Sequence, residues 1–197
     1  MMRKKVGLIS DTHGFLHPEV PDAFADCDEI WHAGDFGTSE VADQLAALKP
    51  FRGVYGNIDD GSIRQRFPED DWFDCCGVSI LMTHIAGHPK RYDRRIAPLI
   101  DQRAPRLLIC GHSHILRLDY DKKRNNMLCL NPGAAGNHGD HQIRTMMTLE
   151  FCDADLVDVT VIELANRGVP YIDPQIGQAL RSHMKRVPLG PWPLKQI

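Results

Sequence analysis

Seven residues carry the types and spacing that could do chemistry: Asp11 and His13, Asp35, Asn57, His84, and His112 with His114. Each sits just after an apolar run. Val-Gly-Leu-Ile-Ser precedes Asp11, Ile-Trp-His-Ala-Gly precedes Asp35, and Gly-Val-Tyr-Gly precedes Asn57. Ser-Ile-Leu-Met-Thr precedes His84, and Leu-Leu-Ile-Cys-Gly precedes His112. In an open α/β sheet the carboxyl ends of the strands face one crevice, so donors far apart in sequence can meet there. Imidazole, carboxylate and amide oxygen without thiolate suit a catalytic transition-metal site, whereas closed structural zinc usually takes cysteine. Seven donors are too many for one cation. Shared between two cations through one carboxylate, they leave room for a bridging hydroxide. Two cations roughly 3.5–4 Å apart form the standard clamp for in-line displacement at phosphorus. Hydrolysis of a phosphate ester is the reaction these residue types predict.

The other histidines divide. His17, His32 and His183 complete no ligand set and read as structural. His88, four residues beyond His84, could face a substrate. His138 and His141 lie in Gly-Ala-Ala-Gly-Asn-His-Gly-Asp-His, directly after Asn131-Pro132-Gly133. A glycine-rich loop beside a metal centre can offer backbone N–H groups to phosphate. Gly133 and His138 are therefore expected substrate contacts, and His141 reads as solvated. The chain has no Walker A loop, G-x-G-x-x-G, G-x-S-x-G or H-E-x-x-H, which removes the commonest nucleotide-binding and serine-hydrolase readings.

The elements that must position these residues follow from periodicity. Lys4–Ser10, Glu29–His32 and Phe51–Tyr55 read as strands. Between them, Pro18–Ala25 is helix-compatible, and Ser39 as N-cap opens an amphipathic stretch that Pro50 closes. That alternation implies parallel βαβ units. Trp72–Cys76 and Val78–Leu81 read as a hairpin turning at Gly77. A helix over Ile96–Gln102 leads to a strand at Leu107–Cys110. Beyond Gly111 the pattern is β only: Leu116–Tyr120, Met127–Leu130, Met146–Phe151 and Leu156–Ile162. The expectation is an α/β first half and a mainly antiparallel second half, packed as two sheets in one domain over residues 1–163. Residues 164–197 read as a C-terminal extension carrying one helix, capped by Asp173 with Pro174 and running through Met184, packed on the same domain.

Composition bounds the rest. The chain has 197 residues, 43% hydrophobic and 25% charged, enough to bury a core without staples. A net charge of -3 disfavours nucleic-acid binding through bulk charge. The apolar run at the N-terminus stops at Asp11, and no stretch is long enough to span a bilayer. Six cysteines without a C-x-x-C pair read as buried thiols in a reducing, cytoplasmic setting.

Taken in order, Asp11-Thr-His13, Gly34-Asp35, Gly56-Asn57, His84 and Gly111-His112-Ser-His114 resemble the signature of the calcineurin-like metallophosphoesterase superfamily. The small size and Asn131-Pro132-Gly133 are similar to its compact prokaryotic single-domain phosphodiesterase branch. The resemblance spans about Val6 to Ile162. It implies an α/β, four-layer α-β-β-α sandwich of two mixed sheets flanked by helices. It also implies a dinuclear-metal phosphodiesterase that uses a hydroxide held between two divalent transition-metal ions. Manganese is the first choice, with iron, zinc, nickel or cobalt as alternatives. By the same resemblance Asp11, His13, Asp35 and His114 hold one cation, and Asp35, Asn57, His84 and His112 the other. Asp35, Asn57 and His84 are the catalytic set. Many members carry a proton-donating histidine directly after the Gly-Asn asparagine. Ile58 stands there instead, followed by Asp59, so esters with good leaving groups are favoured. The expected partner is a small phosphoester, with no nucleic acid or membrane, and with a homo-oligomer as an option. The alternative is a non-catalytic metal-binding scaffold or protein-interaction module, since a retromer subunit resembles these enzymes in fold.

Overall fold

Side chains along each strand alternate between two apolar layers, and that alternation builds the molecule. The computed structural model describes residues 2–139, 142–166 and 183–187. In chain order the elements are β1 (Arg3–Ile9), α1 (Val20–Ala23), β2 (Glu29–His32), α2 (Ser39–Leu48), β3 (Phe51–Gly53), α3 (Gly61–Arg66), β4 (Asp70–Cys75), β5 (Val78–Thr83), β6 (Gly87–His88), β7 (Arg91–Tyr92), α4 (Ile96–Arg103), β8 (Leu107–Ile109), β9 (Arg117–Asp121), β10 (Met127–Asn131), β11 (Ile143–Cys152), β12 (Asp155–Asn166) and β13 (His183–Val187). One sheet runs β13-β12-β11-β1-β2-β3 and a second runs β4-β5-β8-β10-β9.

The period of two sorts residues by layer. Val6 and Leu8 of β1, Trp31 of β2, Ile80 and Met82 of β5, Leu107 and Ile109 of β8, and Met147 and Leu149 of β11 share one core between the sheets. The intervening Ile30, Met146 and Ile162 face outward, against Val20 of α1, Phe24 just after it, Leu45 of α2 and Ile63 of α3. On the far side Leu81, Leu108 and Cys129 meet Ile96 and Ile100 of α4. The result is helix, sheet, sheet, helix: the four-layer sandwich. Each fully buried aliphatic side chain contributes about 1.5–3 kcal/mol, so the central core dominates stability.

Within each sheet the strands that deliver site residues are parallel neighbours. β1 pairs β2 and β2 pairs β3 in parallel, as do β5 with β8 and β8 with β10. Antiparallel strands flank them. This differs from the split expected from the sequence. The sheets are not the two halves of the chain, because β11 and β12 return to the first sheet while β4 and β5 build the second. β10 is also parallel to β8, although no long helix joins them; β9 and its turns make the crossover.

Local differences have local causes. Thr38, not Ser39, occupies the N-cap of α2. The short helix α3 was absent from the periodic reading, since Ile63 is its one buried residue. Its signal was Asp60, whose carboxylate accepts from the N–H groups of Ser62 and Ile63. His183–Val187 is a strand paired antiparallel with β12, so the helix expected to run through Met184 does not reach that residue. The rest of that helix, and His141, lie outside the described residues.

Candidate metal centre

Every candidate donor leaves the carboxyl end of a parallel strand. Asp11 and His13 follow β1, Asp35 follows β2, Asn57 follows β3, His84 follows β5, and His112 and His114 follow β8. The chain turns sharply at these ends. Asp11, His13, Asp35, His112 and His114 all adopt left-handed backbone, with φ of 54°, 49°, 58°, 65° and 56°. Such residues cost about 1–3 kcal/mol each and persist where the surroundings over-determine them. The glycines that precede donors let backbone approach the carboxylates. A Cβ on Gly56 would lie 2.0 Å from Asp35 Oδ1, and one on Gly111 would lie 2.1 Å from Ser10 Oγ and 2.7 Å from Asp11 Oδ2.

The structure brings all seven together. Ligand atoms of Asp11, His13, Asp35 and His114 lie within 4.8 Å of one another. His114 Nε2 is 3.2 Å from Asp11 Oδ1 and 3.2 Å from His13 Nε2. Alongside this group, His84 Nε2 lies 3.2 Å from Asp35 Oδ2 and 3.2 Å from Asn57 Oδ1. His112 Nδ1 is 2.9 Å from the same Asn57 oxygen. Asp35 Oδ2 therefore faces both groups, at 3.9 Å from His13 Nε2 on one side and 3.2 Å from His84 Nε2 on the other.

A frame of hydrogen bonds aims the donors. His84 Nδ1–H donates to the carbonyl of Ala33 at 2.8 Å, which turns Nε2 toward a cluster of oxygens. Those neighbours, Asp35, Asn57 and Asp11, all present acceptors, an arrangement that a cation completes. Asp11 Oδ2 accepts from Ser10 Oγ at 2.7 Å, and the His112 N–H reaches both Asp11 oxygens at 3.2 Å. Asp35 Oδ1 accepts from the Ile58 N–H at 3.1 Å. Asp11 and Asp35 are almost completely buried, at 0% and 2% exposure, so their charges require a partner.

Protonation follows the same geometry. Burial lowers the pKa of His13 and of His112, with neighbouring His84 adding to the effect at His112, so both rings favour the neutral, ligating form. At His84 burial pulls downward, but the bond to Asp35 and the charge of Asp11 outweigh it and raise the pKa. At Asp35 burial pulls upward and is outweighed by His84 and the Ile58 N–H, leaving the carboxyl below its usual range.

The remaining histidines and Gly133 are placed as follows. His32 is fully buried, stacked on Phe36 at 3.7 Å, with Nδ1 accepting from the Gly34 N–H and Nε2 on Thr12 Oγ1. Burial pushes its pKa down to about 3. His17 is buried too, and burial lowers it to about 4. His138 is exposed, its ring 5.2 Å from that of His13, so it reaches the cluster. His88 sits on the β6–β7 hairpin with Nδ1 bonded to the carbonyl of Pro89. Gly133 is buried, and its N–H already donates to Asn131 Oδ1. The N–H groups of Ala135 and Gly136 donate to the carbonyls of Ser10 and Asp11. This loop braces the Asp11 turn from behind.

Asp59 anchors rather than relays. Its two oxygens accept from Gly37 N–H at 2.9 Å and Gly56 N–H at 2.7 Å, tying the loop after β2 to the loop after β3. Ile58 is 45% exposed. Sequence reasoning missed Ser10, the Ala33 carbonyl and a cleft of about 250 Å³ beside Asn57 and His84 that includes Tyr55, Arg64 and Arg95. None of these has a type or spacing that marks it in advance. A second cavity of about 280 Å³ adjoins His114 and is lined by Leu116, Ile143 and Thr145.

A sandwich of two mixed sheets with a histidine and carboxylate cluster at the parallel strand ends defines a metal-dependent hydrolase class. The chain belongs to the calcineurin-like phosphoesterase superfamily, whose domain description matches residues 4–154. A probable metallophosphoesterase of Methanocaldococcus jannaschii is 30% identical over 135 residues, covering 66% of this chain and 67% of the relative. One from Methanothermobacter thermautotrophicus is 28% identical over 134 residues, covering 66% and 76%. Among solved structures, Vps29 of Entamoeba histolytica, determined as a single mutant, superposes with a TM-score of 0.67 at 22% identity, covering 94% of this chain and 99% of that one. The wild-type Vps29 with bound zinc gives 0.66 at 22% identity, covering 93% and 98%. Among the described residues, no helix is long and apolar enough to cross a membrane.

Proposed function

We propose that this phosphoesterase superfamily member is a two-metal phosphodiesterase. One observation carries the reading: two donor groups, Asp11, His13 and His114 on one side and Asn57, His84 and His112 on the other, converge on the single carboxylate of Asp35. Divalent cations bound there would supply an activated water and neutralise charge at phosphorus. Donors without sulfur suit manganese first, and zinc, iron, nickel or cobalt next.

The protein's own part is positioning. Asp35 sets the spacing of the two groups. Ala33 orients His84, and Ser10 with the His112 amide holds Asp11. Ile58 has no proton to give, and Asp59 is committed to backbone, so the departing oxygen leaves unaided or takes its proton from a ring nearby. His138, whose ring lies 5.2 Å from that of His13, is the ring we assign to this. The two cavities favour a diester over a monoester, because a diester has two arms on phosphorus. One cavity adjoins Asn57 and His84, and the other adjoins His114.

The test is metal analysis with turnover. Loaded with manganese, the wild type should hold two ions per chain and cleave bis(p-nitrophenyl) phosphate faster than p-nitrophenyl phosphate. D35N should lose both ions and at least a hundredfold in rate. Two ions retained with near-normal turnover in D35N would remove the shared carboxylate. Manganese-treated protein that turns over neither ester would favour the scaffold role that the likeness to Vps29 allows.

A further inference from the structure

Arg64 stands on the wall of the cleft that Asn57 and His84 also line. Its guanidinium is gripped by neutral groups. Nε donates to the carbonyl of Asp59 at 2.7 Å, and Nη2 donates to those of Gly56 and Asn57 at 3.2 and 3.3 Å. The plane lies over the Tyr55 ring, with Cζ 4.5 Å from its centroid. The neighbouring arginines are neutralised. Arg95, on the same cleft, is clamped by Asp70 with Glu69 at 3.3 Å, and Arg66 pairs with Asp43 at 2.8 Å. Among the described residues, Arg64 has no such carboxylate, and its Nη1 is uncommitted. A guanidinium fixed in this way keeps its charge, and the two N–H groups of Nη1 remain to donate to an incoming acceptor such as a carboxylate or a phosphate.

We propose that the cleft seats one ester arm of the substrate and that Arg64 binds an anionic group, a carboxylate or a second phosphate, carried on that arm. This rests on the phosphodiesterase reading above. The Asn57 carbonyl that receives Arg64 belongs to the residue whose side-chain oxygen faces His84 and His112. The anion therefore lies close to the reacting phosphorus, on a short arm.

Three p-nitrophenyl phosphodiesters with butyl, 3-carboxypropyl and 3-phosphonopropyl second arms share a leaving group and differ in the anion. Manganese-loaded wild type should show a KM about tenfold or more lower for a charged ester than for the butyl ester, at similar kcat, as expected for a charge-assisted hydrogen bond. The charged ester with the larger gain identifies the anion. R64Q should erase the gain, read as the ratio of the butyl ester's KM to the charged ester's KM, a ratio in which any change common to both esters cancels. Equal KM values for the three esters in the wild type, or a preference that survives in R64Q, overturn the proposal. The wild-type comparison decides alone if R64Q does not fold. Turnover without preference overturns the anionic arm and leaves the phosphodiesterase reading standing, whereas no turnover of any ester overturns both.

Discussion

At the scale of single residues, the site is built from groups that a folded chain avoids. Two buried carboxylates share one polar cluster with five residues in left-handed backbone, and each left-handed position costs about 1–3 kcal/mol. The seven donors were legible in the sequence because histidine, aspartate and asparagine directly after apolar strands are a chemical pattern. Arg64 and Ser10 were not, because an exposed arginine in a six-residue helix and a serine at a strand end look like any others. His32 gives a prediction at this scale. Its pKa is about 3 in the folded chain and about 6.5 when unfolded. Between those values the unfolded chain binds the extra proton, so stability falls as pH falls through that window. From pH 7 to 5 the loss from His32 is about 2 kcal/mol. His17 acts in the same direction, whereas the raised pKa of His84 acts against it, since that contribution is complete at low pH and lost as pH rises. Asp35, with its pKa lowered from 3.8, contributes fully above that unfolded value and loses the contribution as pH falls from there through its folded value, outside the interval from pH 7 to 5. Urea unfolding in chelator at pH 7 and 5 should show H32Q losing about 2 kcal/mol less than the wild type on acidification. An unchanged difference would mean that His32 is protonated in the fold.

At the scale of elements, loops after parallel strands are held to one another rather than to the sheets. Asp59 is the clearest case: one carboxylate serves the loop that carries Asp35 and the loop that carries Asn57. D59A would leave two backbone N–H groups without their acceptor, and each lost charge-assisted bond costs about 1.5–3 kcal/mol. The expected result is a stability loss of about 3–5 kcal/mol in urea unfolding, with weaker metal uptake, and D59N should recover part of both. A loss confined to metal uptake, with stability intact, would assign Asp59 to the site rather than to the loops. Strands and hairpins were largely legible. Cys76 and Gly77, both at positive φ between Cys75 and its partner Val78, make the tight two-residue turn that the apolar runs around Gly77 implied. Sheet membership was not legible. Periodicity shows that Met147 and Leu149 face a core, but it does not say which strand lies beside β11.

At the scale of the whole molecule, the cluster joins the two sheets. Asp11, His13, Asp35 and Asn57 come from the first sheet's strand ends, and His84, His112 and His114 from the second's. A cation bound among them would tie the layers together outside the shared core, and would bind only when both sheets are in place. Binding to the folded state alone stabilises by about 2.7 kcal/mol at a hundred times Kd, which for a chain of this length raises Tm by about 5–10 °C. Calorimetry with and without manganese should show that increment in the wild type. D11N, from the first sheet, and H114A, from the second, should each cancel most of it, although neither shares a strand with the other. If H114A kept the full increment, His114 would hold no cation, and the second sheet's part in binding would rest on His84 and His112 alone.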